Sequence, residues 1–383
     1  MALYDRGIQT PYVSVNAGIV PEAVFGVGIN WFINRTPLLS RLPAFPVGSP
    51  SFNIENINYR PRSMALSASY TTGSDTTISF TDASWLTEGD VLTIESENFL
   101  VTSAHATTPT VTGAYAGSTG ANHASAKVAY LVGNTRTGGE VDVNAIARIP
   151  VVVEQYVQTV QHAVQVGGAL QATSNWVGSD GRTPLDQDRM LAIQHCMDDF
   201  EESSYYGVGV KVAASTTRPM MKGLKTLIAT NNTTSPTNAG AYKPSDLMRD
   251  TIQACTTGGG NPTLMLVSMD FQTGLAVWGQ PLVRLDAGAT ELGVRIDMFE
   301  APFLDGITVV PAPLLKSGTA ICLSGMGGDM IEVRQRLRRQ LFEKRRGSRG
   351  DAIESDFIMD GAIELDNEAH HAWVEGITAF AAA

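Results

Sequence analysis

Residues 190–207, with the sequence MLAIQHCMDDFEESSYYG, concentrate side chains that bind metal ions and transfer protons. His195 is followed by the carboxylates of Asp198, Asp199 and Glu202, all on one side of a helix. Such a set could bind a divalent cation or form an acid–base pair. The second histidine of a zinc motif such as HExxH is missing, so the pattern favours a solvated or subunit-facing helix surface.

Glu201 does not fit this interpretation of the helix. At about 100° per residue, Met190, Ile193, Met197 and Phe200 form an apolar stripe with core spacing. Glu201 lies at the edge of this stripe. Because a half-buried carboxylate needs a partner, we predict an arginine from another element or another chain.

A basic run, RQRLRRQLFEKRRGSRG, places eight Arg or Lys residues between Arg334 and Arg349. Such a run either pairs with acidic neighbours or contacts nucleic acid. Because the formal net charge of the whole chain is -11, pairing between subunits fits at least as well as contact with DNA. The predicted interface charges are Glu201, Arg189, Arg338, Arg339, Arg345 and Arg346.

Two other motifs are interpreted as structural, without a phosphate-binding or metal-binding role. TTGGGNP, residues 256–262, lacks the phosphate-loop patterns GxGxxG and GxxxxGK(S/T), and predicts a helix-to-strand turn with positive φ. His370 and His371 lie in a predicted strand, where adjacent side chains face opposite ways and do not easily chelate one ion. No GxSxG motif or Cys/His dyad is evident, so we expect no catalytic, cofactor or metal site.

The composition is that of a folded protein, with 43% hydrophobic and 17% charged residues among 383. The acidic balance argues against a free-standing nucleic-acid binder. No apolar run is long enough to span a membrane, and the start of the chain lacks the pattern of a signal peptide. Cys196, Cys255 and Cys322 lie far apart without CxxC spacing, which predicts reduced, buried thiols.

A long helix and a long strand would position the charged residues. Thr183 as N-cap, Pro184 at the first position and Gly207 at the end predict a helix over residues 184–207. VVVEQYVQTVQHAVQVGG, residues 151–168, predicts a single strand far longer than usual. Both faces of this strand carry scattered polar residues, which is typical of a projecting arm that other chains cover.

Two further regions differ in composition from the rest. Residues 64–135 contain one basic residue, Lys127, and are dominated by Thr, Ser, Ala and Gly, which predicts an inserted β-rich module. In DVLTIES, Val91, Thr93 and Glu95 alternate with Leu92, Ile94 and Ser96, as in a half-buried strand. Residues 1–50 are apolar without a lasting period, so they predict an extended arm that packs on another surface.

Three blocks, in order, resemble the major capsid proteins of tailed bacteriophages, in the branch similar to phage SU10. They are RIPVVVEQYVQTVQHAVQVGG, LDQDRMLAIQHCMDDFEESSYYG and the region from VRIDMFEAPFLDGITVVPAP to LDNEAHHAWVEGI. The last motif and DFE ahead of a glycine are the most telling. The resemblance covers about residues 148–380.

The resemblance implies an α+β chain with the HK97-type capsid fold and an inserted β-rich module. It divides the chain into an N-terminal arm (1–50), an E-loop (51–166) carrying the module at about 64–135, a P domain (167–238) with spine helix 184–207, an A domain (239–325) and returning P-domain strands (326–383). Residues 52–64 and 148–166 would be the strands of the E-loop.

The implied function is that of a non-enzymatic major capsid protein that assembles, as hexamers and pentamers, into the icosahedral shell around double-stranded DNA. Expected partners are further copies, the packaged DNA through non-specific contacts, and cement, scaffold and portal proteins, with no membrane. The expected location is the virion, assembled in the bacterial cytoplasm. Because the arm begins almost at Met1, we expect no encoded scaffolding segment, and therefore a separate scaffold or none.

Two other functions compete with this one. An encapsulin-like nanocompartment would use the same fold to enclose an enzyme, and a cargo enzyme encoded nearby would favour it. A threonine-rich adhesin or sugar binder would depend on residues 64–135 alone. That region lacks the clustered exposed aromatic residues used in sugar stacking, since Trp85 and Tyr115 are isolated in sequence.

Overall fold

The computed structural model describes residues 35–56, 60–136, 151–167, 184–211, 218–279, 298–301, 304–325, 332–346 and 352–381. The chain forms two compact units: a main unit of residues 1–56 and 151–383, and a module of residues 57–150. The expected insert, residues 64–135, falls inside the module. Most of the predicted arm and the predicted N-cap, Thr183, lie outside the described residues.

The strands of the described residues are, in chain order, β1 (Ala44–Pro46), β2 (Ser51–Asn56), β3 (Ser63–Ala65), β4 (Asp90–Ile94), β5 (Glu97–Ser103), β6 (Thr110–Thr112), β7 (Val128–Asn134), β8 (Val151–Tyr156), β9 (Gln158–Gly167), β10 (Val208–Val210), β11 (Met220–Lys222), β12 (Asn232–Thr233), β13 (Pro262–Val267), β14 (Met298–Ala301), β15 (Leu304–Pro311), β16 (Ala320–Ser324), β17 (Val333–Arg345), β18 (Ala352–Leu365) and β19 (Ala372–Val374). The α-helices are α1 (Pro184–Tyr206), α2 (Leu224–Leu227), α3 (Pro244–Leu247), α4 (Ala254–Gly258) and α5 (Met269–Gly279). A π-helical segment, Met248–Gln253, joins α3 to α4, and 3₁₀ turns occupy Tyr115–Gly117 and Glu368–His370.

Helix α1 ends within one residue of the bound that the capping pattern predicts, and its predicted apolar stripe is confirmed only in part. Phe200 is buried against β9 and β18 with Ala192 and Cys196, and Met197 packs against the same cluster. Ile193 is 38% exposed, so its place in the predicted stripe is wrong. Small side chains at positions 192 and 196 let the helix approach the sheet closely. No helix among the described residues is long and apolar enough to cross a membrane.

A four-stranded sheet in the order β1-β17-β18-β9 forms the support for α1. β18 pairs antiparallel with both β17 and β9, and the short β1 runs parallel to β17. The prediction of one continuous strand over residues 151–168 is wrong. The run breaks at Val157, whose buried backbone N–H donates to the Pro50 carbonyl at 2.9 Å, so β8 and β9 join different sheets.

The two-stranded sheet of β2 and β8 is an antiparallel hairpin arm, with Ser51 opposite Tyr156 and Asn56 opposite Val151. Within the described part of the strands predicted for the E-loop, β2 and β8 pair with each other, whereas β9 pairs along its length with β18. At its far end, Val151 and Val152 are 56% and 52% exposed. The arm therefore carries apolar side chains into solvent.

The six-stranded sheet has the order β12-β19-β16-β13-β15-β14 and separates two apolar clusters. Leu266 and Trp373 lie on one side, and Met265 and Phe271 on the other. Gly259 ends α4 with a φ of 97°, which confirms the predicted turn ahead of a strand. The predicted thiols are also confirmed, since all three cysteines are buried and free.

The module contains a five-stranded antiparallel sheet in the order β3-β7-β4-β5-β6. Leu92 and Ile94 of β4 are fully buried with Phe99 and Leu131, while Val91 and Thr93 are half-buried, as the alternation predicts. The module thus has a core of its own.

A buried carboxylate, Glu97, fixes the loop that follows β6. It accepts hydrogen bonds from the backbone N–H groups of Ala114 at 2.9 Å and Ala121 at 2.8 Å. His123 lies between two acids, with Nε2 3.1 Å from Glu97 and Nδ1 3.0 Å from Glu95. Since carboxylates only accept, both contacts are hydrogen bonds when the imidazole carries both protons.

Candidate assembly surfaces

The basic run forms strand β17, and its arginines face acids of the adjacent strand. In the register of the two strands, Arg334 lies opposite Glu364 and Arg339 opposite Asp360. Cross-strand neighbours of opposite charge attract each other at this spacing. The strand pairing therefore decides which acid each arginine meets.

Glu364 and Asp360 of β18 are each held by two guanidinium groups, and these pairs are here called the ladder. Glu364 lies 3.0 Å from Arg334 and accepts two hydrogen bonds from Arg336. Asp360 accepts from Arg338 at 2.9 Å and also from Arg339. The pairing predicted between subunits is thus found, for these residues, within one chain.

Arg346 and Arg189 are also paired inside the main unit. Arg346 donates to Asp356 at 2.5 Å, and the Arg189 guanidinium lies 3.0 Å from Glu343 of β17. The second pair ties α1 to the strand. The side chains of Arg339 and Arg346 remain about half exposed, at 47% and 50%, and still present positive charge to solvent.

Arg345 differs from the other arginines of the run. It is exposed at the end of β17, and within the described ranges no ion pair involves it. Its predicted contact with a neighbouring subunit remains a prediction.

The pKa of Asp360 is lowered although its side chain is completely buried. Burial alone disfavours the charged form and opposes this shift. Hydrogen bonds from Arg339, Thr159 and Arg338 outweigh the cost of burial. Asp360 therefore stays ionised as the anionic centre of the ladder.

Glu201 is fully buried, and the arginine predicted as its partner is not there among the described residues. Its carboxylate accepts from the backbone N–H groups of Leu38 and Leu39, both at 2.9 Å, and from the Tyr205 hydroxyl at 2.5 Å. Burial raises the pKa of Glu201, and these three donors offset part of the effect. The residue predicted as an interface charge is an internal anchor for the chain at Leu38.

A glutamine completes the attachment of this segment. The Gln335 side chain donates to the Leu39 carbonyl at 2.7 Å, and its backbone N–H donates to Pro43 at 2.9 Å. β1 follows and pairs with β17. Helix α1 and β17 together hold the described end of the predicted arm.

Another buried glutamine holds the base of the hairpin arm. Gln155 of β8 donates to the carbonyls of Lys222 at 2.8 Å and Ile363 at 2.7 Å. Its oxygen accepts from the N–H groups of Lys222 and Tyr156. All four hydrogen-bonding positions of the amide are used, so β8 is fixed to β11 and β18. The valine-rich run contains four glutamines, at positions 155, 158, 161 and 165, so its pattern did not distinguish Gln155 from the others.

Among the described residues, the polar face of α1 does not gather a set of metal ligands. His195 is exposed, and its ring centroid lies 5.7 Å from that of His162 on β9. The fold thereby supplies the second histidine that the local sequence lacks. However, His162 bonds Asp199 at 2.7 Å, and no cluster of three or more ligating side chains suited to a metal occurs in the described part of the chain.

The strand predicted for His370 and His371 is wrong. They lie at a 3₁₀ turn ahead of β19, and both face one carboxylate, with Glu332 2.6 Å from His370 and 3.6 Å from His371. Burial lowers the pKa of His371 to about 4. Its Nδ1 accepts from the Ser324 N–H at 3.1 Å, as a neutral ring can.

The chain is similar to known proteins in its sequence. A family model described as SU10 major capsid protein matches residues 8–378. No curated protein matches the chain.

Solved structures with a similar fold come from several kinds of shell. The holo-SrpI encapsulin complex from Synechococcus elongatus PCC 7942 is 12% identical, with a TM-score of 0.47 over 99% of this chain and 98% of that chain. The capsid of an empty GTA particle is 11% identical, with a TM-score of 0.47 over 95% and 94%. A structure of Mycobacterium phage Bobi is 14% identical, with a TM-score of 0.41 over 88% and 89%.

Proposed function

Because the chain belongs to the SU10 major capsid protein family, we propose that it forms the icosahedral head shell around the double-stranded DNA of a tailed phage. The match over residues 8–378 carries this proposal. As a capsid protein it is a component of the virion, and its role there is structural, without catalysis.

We assign parts of the fold to this role as follows. Residues 1–50 are assigned to the arm and residues 51–166 to the E-loop with its insert, with β9 at the end of that range lying in the sheet under α1. Residues 167–238 and 326–383 are assigned to the P domain with α1 as spine, and residues 239–325 to the A domain. Hexamers and pentamers of the chain would be the assembling units, with scaffold, portal and cement proteins as partners.

The hairpin arm is suited to hold a neighbouring copy. Its base is fixed by Gln155, while Val151 and Val152 stay exposed at its far end. A rigid base lowers the entropy lost when the valines are buried on another subunit. Each such contact is weak, and closed symmetry repeats it over the whole shell.

The exposed basic end of β17 is proposed to contact a neighbouring subunit or packaged DNA. Arg345 and the half-exposed Arg339 and Arg346 present positive charge in a chain whose net charge is -11. Binding to DNA at this end would be independent of sequence and would weaken with salt.

The proposal is tested by expressing the full chain, with a candidate scaffold where one is encoded nearby, and examining it by electron microscopy and sedimentation. Closed shells are expected. Small, discrete oligomers under all conditions would contradict the proposal. Shells that contain nuclease-protected DNA in infected cells support a phage head, whereas an enclosed enzyme would favour the encapsulin-like alternative.

A variant of the hairpin arm tests the mechanism. Val152→Asp places a charge on a side chain that is 52% exposed, so the subunit should fold and the yield of shells should fall at least tenfold. Thr72→Asp makes the same change of charge at an exposed position of the module, and its yield should be unchanged.

A further inference from the structure

Strand β9 is an outer strand of the four-stranded sheet, and among the described strands its hydrogen-bonded neighbour is β18 alone. In an antiparallel pair, alternate residues direct their N–H and C=O groups away from the partner strand. The outer edge of β9 therefore presents a row of backbone donors and acceptors with which a further strand can pair.

This edge lacks the features that usually protect an outer strand from pairing. Protected edges are short, bulged, or occupied by Lys, Arg or Pro. The opposite side of the same sheet is protected, because β1 is only three residues long and the register of the arginine-rich β17 shifts on both sides of Arg339. β9 pairs with β18 over ten consecutive residues without a shift and contains no Lys, Arg or Pro. It is therefore a suitable template for an added strand.

A cleft of about 430 Å³ lies beside β9. Its lining comprises residues 158–162 of β9, Asp199, Glu202 and Tyr206 of α1, and Met220 of β11. At about 3.3 Å per residue, the β9 part of the lining is roughly 13 Å long, which suits about five residues of an extended chain. An extended segment in this cleft would pair with β9 and contact α1 at the same time.

The charges of the cleft favour a basic segment. Asp199 and Glu202 are exposed, and the lining residues include no Lys or Arg. Asp199 is bonded to His162 at 2.7 Å, whereas within the described ranges Glu202 takes part in no ion pair. Because alternate residues of a strand point to the same side, Lys or Arg at alternate positions would face α1. The same carboxylates would repel nucleic acid.

The chain does not itself offer such a segment in a free form. Lys or Arg occurs at three alternate positions only once in the sequence, at Arg334, Arg336 and Arg338. These arginines are paired with Glu364 and Asp360 of β18, and their strand is paired with the same β18. A second copy is therefore a poor source of the segment, and a different protein is favoured.

We infer that β9 and α1 bind an extended, basic segment of a partner protein, which adds a strand to the sheet along residues 158–162. Main-chain hydrogen bonds supply the affinity, and the two carboxylates select basic side chains. The site goes beyond the proposed shell function. It is complete in a single subunit, so binding does not require assembly.

The test uses the unassembled full chain and a seven-residue synthetic peptide in which Lys alternates with Val and Thr. Hydrogen–deuterium exchange, read by mass spectrometry, should show slower exchange of the backbone amides of β9 when the peptide is bound. The same peptide with all its backbone nitrogens methylated keeps its charge but cannot donate main-chain hydrogen bonds. We expect it to bind at least about tenfold more weakly.

The preference for basic side chains is measured separately. A peptide with Glu in place of Lys should not slow exchange in β9. Glu202→Gln should weaken binding of the Lys peptide about two- to fivefold, as expected for the loss of one exposed ion pair. Glu55→Gln removes an exposed carboxylate of β2, outside the cleft, and should leave binding unchanged.

Three results would overturn the inference: unchanged exchange of β9 at about 1 mM peptide, slower exchange confined to another segment, or equal binding of the methylated peptide. Equal weakening by Glu202→Gln and Glu55→Gln would also overturn it, because the peptide would then respond to net charge alone. Since binding is measured on unassembled subunits, a failure to form shells would count against the proposed function only.

Discussion

Glu201 and Asp360 are both completely buried in the main unit, yet the pKa values of their carboxyl groups shift in opposite directions. Burial disfavours ionisation at both sites. At Glu201 the donors are two amides and a hydroxyl, which offset burial only in part. At Asp360 two guanidinium groups, with Thr159, reverse its effect. Asp360 has charged donors and fewer protein atoms packed around its carboxyl group than Glu201 has, and both differences favour ionisation at Asp360.

The first test of this comparison removes the anchor at Glu201. Glu201→Ala leaves two amides and one hydroxyl without their acceptor, and each unpaired buried donor costs about 1–3 kcal/mol. We expect the free energy of unfolding of the unassembled subunit to fall by about 3–5 kcal/mol, measured by urea unfolding and by hydrogen exchange at Leu38 and Leu39. Glu202→Ala, at the adjacent exposed position, should change it by less than about 0.5 kcal/mol. If Glu201→Ala and Glu202→Ala lowered the free energy of unfolding equally, Glu201 would not anchor the chain at Leu38.

The second test removes the anion of the ladder. Asp360→Asn keeps the shape of the side chain but leaves Arg338 and Arg339 without their shared carboxylate. Breaking a fully buried pair costs about 3–5 kcal/mol, and since both arginines are partly exposed we expect a loss of about 2 kcal/mol. Glu55→Gln, an exposed carboxylate on β2, is the control and should be neutral. An unchanged or raised free energy of unfolding would show that the arginines do not need this acid.

The third test uses pH to separate the two acids. Folding raises the pKa of Glu201 above its ordinary value of 4.5. As the pH rises through this raised pKa, the wild-type subunit should therefore lose stability relative to Glu201→Gln. The pKa of Asp360 is lowered, so its contribution is complete above the ordinary value of 3.8 and is lost as the pH falls through the lowered one. Both differences in the free energy of unfolding should be measured by urea unfolding across this pH range. If the stability contributions of both acids changed with pH in the same direction, their pKa values would not be shifted in opposite directions.

The smallest effects are expected for single arginines. Arg338 and Arg339 are 35% and 47% exposed, so Arg338→Gln and Arg339→Gln should each reduce the free energy of unfolding by about 0.2–1 kcal/mol. Arg345→Gln, which removes no ion pair among the described residues, should leave the subunit unchanged. If Arg345 contacts a neighbour, this variant should weaken only the assembled shell, as seen by dissociation in rising salt. A large loss in the isolated subunit would contradict its assignment to the surface.

Local features of the fold were predictable, because they depend on residues near one another in the chain. Pro184 and Gly207 bracket α1, and the alternation at Leu92 and Ile94 appears in β4. The split at Val157 was not predictable from β propensity, because both halves are β-rich and the break depends on a backbone bond to Pro50. The exposure of Ile193 was missed for a similar reason, since the side of α1 that is buried depends on the sheet packed against it.

The sequence by itself determined the identities of the buried acids, the basic run and the order of elements that places the chain in its family. Only the tertiary structure decided which hydrogen-bond donor each buried acid contacts. Glu201 meets Leu38, 163 positions away, and Arg339 meets Asp360 through the register of two strands. Periodicity shows which residues share a face of an element, whereas partners follow from how distant elements pack. For this reason Glu201 is held by backbone amides and a hydroxyl group, whereas arginines hold Asp360.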